Sequence, residues 1–354
     1  MHEADRILLK ASGLGNTPSV QYFLFDQDSV IHRYKTGYAD IKTGKKAREN
    51  TTYHIFSITK TFTALAVLQL YKKKLLDLGQ PAALYLPRFP YSADITIRQL
   101  LSHTSGIPNP IPLSWIHLTE EHTEFNREKF FTGVFIRNNK TRSRAGEKFS
   151  YSNLGYILLG EVIEKVSGMI YENYIGENIF NRLKLRSNDL DFVLQDPQQH
   201  ATGYHKKISA SNLLLGFFID KKKFMHKAEG QWKPFRNFYV NGTPFGGLIG
   251  TPLALVKYGQ DLLKANSSLI DDDLLKLLFE ENLTNSGKPT GMCLSWFKGR
   301  LNGHQYFTHA GGGGGYYCEI RIYPESGKGS VIMFNRTGMS DARFLDRIDK
   351  YFIR

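Results

Sequence analysis

Strand-like patterning in this chain is confined to its two ends, and that separation constrains the fold more than any other feature. From Val20 to Tyr38 apolar and polar residues alternate around the polar break Asp26-Gln27-Asp28, which predicts a β-hairpin. Strand-like runs return only at Met292 to Lys298, Gln305 to His309, Tyr316 to Tyr323 and Val331 to Arg336. Between them the period is helical. Phe62, Leu65, Ala66 and Leu68 mark a stripe over Phe56 to Tyr71. Ile97, Leu100 and Leu101 follow Thr96 at i, i+3, i+4 and stop near Gly106 and Pro108. Leu154, Leu158, Val162 and Val166 mark a third helix closed by Gly168. Thr251-Pro252 reads as an N-cap with proline at the first helical position, and Asp341 to Arg354 as an amphipathic helix with Phe344, Leu345, Ile348 and Phe352 on one side. The expected class is therefore α+β, with a sheet built from both terminal segments and a helical middle against it. Residues 1–55 and 245–354 would form the sheet part and 56–244 the helical part of one compact catalytic unit. Within the latter, Asn188 to Thr243 is irregular, rich in aromatics and lysines, and reads as an excursion that shapes a substrate cleft.

With 354 residues, 41% of them hydrophobic, the chain can bury a substantial core, which excludes disorder and fibre. Its longest apolar run, Leu213 to Ile219 with Gly216 inside it, is far short of the roughly 20 residues a membrane-spanning helix needs. The formal charge of +13 raises the question of a nucleic-acid or anionic-membrane partner. The basic runs Lys45-Lys46-Ala47-Arg48, Lys72-Lys73-Lys74 and Lys221-Lys222-Lys223 are scattered and not interleaved with aromatics, so a solvated basic surface is expected and no nucleic acid. Cys293 and Cys318 could form at most one bridge and carry no metal-site spacing. Acidic residues stand in Met1-His2-Glu3-Ala4-Asp5-Arg6 where a secretory leader would be basic. The expectation is a cytoplasmic protein, or a periplasmic or secreted one if a leader was trimmed.

In Ser57-Ile58-Thr59-Lys60, at the start of the first long helix, three residues make nearly one turn, so hydroxyl and amine share a face. A serine hydroxyl is a weak nucleophile until a base takes its proton, and a lysine of lowered pKa can do so. Free N–H groups at the helix start could polarise an oxyanion beside Ser57. The spacing alone is unspecific, since a chain this long holds on the order of one or two chance matches. Ser295-Trp296-Phe297-Lys298 is one, in a strand-like run where positions three apart face opposite ways.

Tyr151-Ser152-Asn153 introduces the third helix, 94 residues after Ser57 (151 minus 57). A phenol near a lysine can relay protons as phenolate or hydrogen-bond partner, and an amide can orient lysine and substrate. The plainer alternative makes Tyr151 a half-buried packing residue and Asn153 a helix cap. Tyr171-Glu172-Asn173 and Tyr239-Val240-Asn241 share the spacing, and position favours the first. His309-Ala310-Gly311 runs into the glycines Gly311 to Gly315. Because Tyr316 onward reads as a strand, these suit close substrate approach at a strand edge rather than a phosphate cradle.

In this order, S-x-x-K, Y-S-N and H-A-G resemble the motifs of the serine β-lactamase and penicillin-binding-protein-like superfamily, in its class C, D,D-peptidase and family VIII esterase branch. Ile95 to Pro108 (ITIRQLLSHTSGIP), Ala201-Thr202-Gly203-Tyr204 and Gly246 to Pro252 (GGLIGTP) extend the resemblance over about Val20 to Arg336. It implies a β-lactamase/transpeptidase-like fold, with an antiparallel sheet flanked by helices. It also implies that Ser57 is acylated, with Lys60 and Tyr151 as its base and Tyr151 protonating the leaving group. Asn153 would hold Lys60 and contact substrate, His309 and Gly311 would line the substrate, and the N–H groups of Ser57 and Gly312 would form the oxyanion hole. No cofactor is implied, and the partner is a small ester, amide or peptide. One departure matters: the third motif of class C β-lactamases begins with a lysine that anchors the antibiotic's carboxylate, and a neutral His309 holds an anion poorly. An esterase or D-amino-acid peptidase therefore ranks above a β-lactamase or D,D-carboxypeptidase.

Two other readings fare worse. A zinc site on His117 to His122 fails if the stretch is helical, since five residues rotate about 500° and leave the imidazoles about 140° apart. A non-catalytic acylated sensor would more readily have lost Ser57 or Lys60, and both are present. Composition and motifs leave the oligomeric state open.

Overall fold

The structure, a computed structural model, describes residues 3–12, 16–337 and 343–354. Seven strands form the main sheet: β1 (Ser19–Asp26), β2 (Val30–Asp40), β3 (Lys45–Lys46), β4 (Phe297–Leu301), β5 (His304–Gly313), β6 (Tyr316–Tyr323) and β7 (Lys328–Phe334). Their spatial order is β4-β5-β6-β7-β1-β2-β3, every neighbouring pair antiparallel. The two ends of the chain meet where β1 lies along β7, Val20 opposite Phe334 and Asp26 opposite Lys328. Among the helices of the described residues are α1 (Glu3–Ser12), α2 (Thr59–Lys72), α3 (Ile97–Leu101), α4 (Asn153–Ser167), α5 (Ala210–Leu215), α6 (Lys221–Phe224), α7 (Pro252–Leu263) and α8 (Asp346–Asp349).

Period two sorts the core. Along β1, Val20, Tyr22 and Leu24 pack with Ile332, Phe334, Phe344 and Ile348, whereas Phe23 and Phe25 join the larger cluster with Ile320, Val331, Leu255 and Tyr258. Because both faces are covered, β1 is buried almost throughout, and the alternation of buried and exposed positions belongs to β2. Behind the first face, Arg321 is fully buried, with Nη2 2.7 Å from Glu319 Oε1 and Nη1 2.5 Å from Asp346 Oδ1. Helix α2 is buried from Thr59 to Leu70, so its apolar stripe is one side of a central helix. Two of its threonine hydroxyls donate to backbone carbonyls, Thr61 to Ile58 and Thr63 to Pro244, and Thr59 accepts the Leu248 N–H. Caps stand where the sequence puts them for α3 (Thr96, with Gln99 completing a capping box), α7 (Thr251) and the end of α4 (Gly168).

Four stretches differ from the sequence reading. In Met292 to Lys298 the strand starts only at Phe297, because Ser295 turns with φ +72. The C-terminal helix shrinks to α8. Residues 341 and 342 lie outside the described residues, and the segment is held by side-chain bonds from Tyr22, Tyr323 and Ser330 to Asp349 rather than by helical periodicity. The Asn188 to Thr243 excursion carries α5, α6 and short strands. Tyr204–Lys206 pairs with Trp232–Pro234, and Phe238–Val240 pairs with Ile116–Leu118, in runs too short to show a period. That last pairing makes His117 part of a strand, so His117 and His122 stack instead of diverging, with Nε2 3.0 Å from Nδ1. Among the described residues no group of three His, Cys, Asp or Glu is placed to hold a metal.

Candidate active site

The chain leaves the short strand Tyr53–His54 through a single 3-10 turn, Phe56–Ile58, that runs directly into α2. Phe56 takes φ +44 there, a left-handed conformation that costs a residue with a Cβ about 1–3 kcal/mol. This sharp bend presents half-buried Ser57 one turn ahead of Lys60, whose Nζ lies 3.1 Å from Ser57 Oγ and donates to the Phe245 carbonyl over 2.7 Å. Lys60 is fully buried, and burial holds its amine well below the ordinary lysine value, with no carboxylate offsetting it.

Tyr151 reaches the same point from the residue before the α4 cap. Its hydroxyl contacts Ser57 and its ring stands 5.0 Å from Lys60 Nζ. Burial pushes the phenol well above its usual range, so at neutral pH it is a protonated hydroxyl rather than a phenolate. His309, on β5, sets its Nδ1 against the Ser295 carbonyl, an arrangement that needs the proton on Nδ1. Nε2 is then left as an acceptor 3.5 Å from the Tyr151 hydroxyl. Burial is the main cause that pushes His309 down to about 3, so this imidazole is neutral near pH 7.

The free edge that admits this turn has a simple origin. Strand β4 pairs with β5 only as far as Phe297 opposite Thr308, and beyond His309 that edge of β5 runs past the Phe56–Ile58 turn instead. Gly311 is the point of closest approach, where a Cβ would stand 2.1 Å from the Ile55 carbonyl oxygen and 2.9 Å from the Ser57 nitrogen. The Gly312 amide is one peptide further on. Gly314 and Gly315, with φ +46 and +96, form the hairpin turn into β6.

Asn153 is the one sequence candidate that the structure does not join to the others. Ser152 is the N-cap of α4, and the backbone N–H and Nδ2 of Asn153 both donate to Asn109 Oδ1 over 3.1 Å, while Lys60 turns to Phe245. Pattern reading misses several supports. His103, at φ +55, accepts the Ser152 N–H on Nδ1 and lays its ring 4.1 Å from that of Tyr151. The prolines flanking Asn109 and the Ile95 to Pro108 segment were the available signals. Beside Gly312 to Gly314 lies an apolar cavity of about 60 Å³, walled by Phe56, Trp115, Phe238 and Phe245 and roofed by Leu215 and Ile219.

Comparison with known proteins agrees with this architecture. The family model described as Beta-lactamase matches residues 5–351, and the chain belongs to that family. It is similar to penicillin-binding protein 4* of Bacillus subtilis, 24% identical over 328 residues, which cover 87% of this chain and 66% of that protein. It is also similar to protein flp of Staphylococcus aureus, 30% identical over 209 residues, 57% of this chain and 41% of that one. The chain thus spans two thirds or less of the length of these curated relatives. Among solved structures, the octameric penicillin-binding protein homologue of Pyrococcus abyssi superimposes with TM-score 0.76 at 23% identity, covering 95% of this chain and 73% of that one. A D-amino acid amidase of Ochrobactrum anthropi gives 0.74 at 19% identity, covering 99% and 97%, and a class C beta-lactamase 0.74 at 18%, covering 99% and 94%. The fold is β-lactamase/transpeptidase-like, and members of this superfamily are serine hydrolases.

Proposed function

We propose that this chain is a serine hydrolase that forms an acyl-enzyme on Ser57, acting on esters or amides with an uncharged acyl group as a carboxylesterase or D-amino-acid amidase or peptidase. One observation carries the reading: a buried lysine without a carboxylate partner, its pKa lowered by desolvation, stands 3.1 Å from a serine hydroxyl. Neutral Lys60 takes the Ser57 proton as Oγ bonds to the substrate carbonyl carbon. The oxyanion is met by the N–H groups of Ser57 and Gly312. As the bond to the leaving oxygen or nitrogen breaks, Tyr151 gives that atom its proton and recovers one from the Lys60 ammonium. Water then attacks the acyl carbon by the same relay, releasing the acid and restoring the Ser57 hydroxyl.

Neutral His309 and the aromatic cavity wall favour an apolar acyl group over a carboxylate-bearing antibiotic, which ranks β-lactams second. The test is Ser57→Ala assayed against p-nitrophenyl esters, D-amino-acid amides and a chromogenic cephalosporin, with intact-mass detection of the acylated wild type. Ester turnover that survives Ser57→Ala, or an adduct on any other residue, overturns the assignment. A cephalosporin turned over as fast as a short ester overturns the ranking.

A further inference from the structure

The stretch of chain that walls the apolar cavity also carries exposed apolar side chains. Leu215 and Ile219, four residues apart, face inward onto the cavity beside Gly312 to Gly314. On the other side of the same α5 segment and the turn after it, Leu213 is 72% exposed, Phe217 79% and Phe218 37%, and Ile208 just before it is 89% exposed. Four large apolar side chains exposed within one short stretch of chain mark a surface that meets something apolar.

Charge says what that something is. Residues 206–227 hold six lysines, Lys206, Lys207, Lys221, Lys222, Lys223 and Lys227, against the single carboxylate of Asp220. Asp220 is occupied capping α6, where it accepts the N–H groups of Lys222 and Lys223. Lys223 meets Glu121, and Lys221 is folded back onto the Asn212 carbonyl. Apolar side chains at the tip with lysines on both flanks make the pattern of an element that lies in the headgroup boundary of an anionic lipid layer. It differs from the helix that would cross one, since among the described residues no helix is long and apolar enough.

We propose that the 206–227 segment docks on the surface of an anionic amphiphile aggregate, and that the substrates reaching Ser57 are acyl esters or amides drawn from that layer. The second half rests on the hydrolase reading above. The lining supports it: Leu215 and Ile219 wall the apolar cavity beside Gly312 to Gly314 and belong to the same stretch of chain as the exposed Leu213 and Phe217. An interface that takes up Leu213 and Phe217 would pull that roof outward.

The experiment is co-sedimentation of the full chain with vesicles of phosphatidylglycerol and phosphatidylcholine, or of phosphatidylcholine alone, using wild type, Ser57→Ala and the double variant Leu213→Ser/Phe217→Ser. Both substituted positions are exposed, so the thermal midpoint of the double variant should stay at the wild-type value. Expected are binding to the anionic vesicles that falls at least about ten-fold in the double variant, weakens with salt, and is kept by Ser57→Ala. Because Ser57→Ala reports docking without turnover, loss of the hydrolase reading and loss of the docking proposal show in different arms. Equal binding to phosphatidylcholine alone, no binding, or binding that ignores the double substitution overturns the proposal. So does a self-association that the double variant abolishes in the absence of vesicle binding, which would make the occupant a second copy of the chain.

Discussion

Gly311→Ala adds one methyl group at the narrowest point of the site, and its effect can be worked from the backbone alone. The new Cβ would stand 2.1 Å from the Ile55 carbonyl oxygen and 2.9 Å from the Ser57 nitrogen. A carbon and an oxygen approach comfortably to about 3.3 Å, so strand and turn must part by about 1 Å. Both obstructing atoms are main chain, and no rotamer change relieves them. Overpacking of this kind costs about 1–3 kcal/mol of stability. The larger effect is on the reaction, because the same displacement carries the Gly312 N–H away from the Ser57 N–H. Losing one such donor lowers kcat about 10²–10³-fold, or about 3–4 kcal/mol. The assay is steady-state hydrolysis of p-nitrophenyl butyrate beside thermal unfolding. A kcat reduced about a hundred-fold is expected, with KM within about three-fold and a lowered Tm. Gly312→Ala is the matched control, since a Cβ there meets nothing closer than the Tyr316 carbonyl oxygen at 3.6 Å. It should hold kcat within about ten-fold. The reasoning is refuted if Gly311→Ala keeps more than about a third of the wild-type kcat, or if Gly312→Ala falls as far.

Three further outcomes are expected. Tyr151→Phe should lower kcat/KM about 10²–10⁴-fold for alkyl esters and less for p-nitrophenyl esters, whose leaving group needs no proton; equal losses on both would remove the relay role. The rate should fall on the acid side as Lys60 gains a proton, at a pH well below the ordinary lysine value, while His309, already neutral down to about 3, adds no limb near neutrality. Since unfolded Lys60 binds a proton that the folded chain lacks between its lowered and its ordinary pKa, its contribution to stability rises with pH across that window. Lys60→Met should therefore abolish turnover, and its Tm relative to wild type should decline as pH rises through that window; a difference that ignores pH would contradict the burial argument. Arg321→Met leaves Glu319 buried without its 2.7 Å partner, and urea titration should report a loss of about 3–5 kcal/mol.

The sequence made the hairpin of β1 and β2, the capped helices and the strands β5 to β7 readable because each declares itself locally, through a period, a cap or a turn residue. The Ser57, Lys60, Tyr151 and His309 cluster was readable only as motifs in order, and its geometry came from contacts distant in sequence. Asn153 illustrates the limit: its bond to Asn109 depends on how the Pro108 to Pro110 loop passes the start of α4, which no local pattern encodes. The stack of His117 on His122 was misjudged for a related reason, since a three-residue strand held by Phe238–Val240 is fixed by its partner and not by its own propensity. The C-terminal segment likewise owes its shape to the hydroxyls gathered on Asp349.

The seam between β1 and β7 also sets a timetable for the molecule. A ribosome releases Ser57 254 residues before Gly311 (311 minus 57), so the turn that carries the serine and lysine is made well before the glycine strand that packs against it. During that interval the apolar β1 has an unpaired flank, and any premature mate must be displaced when β7 arrives. Late closure of this sort slows refolding and invites aggregation.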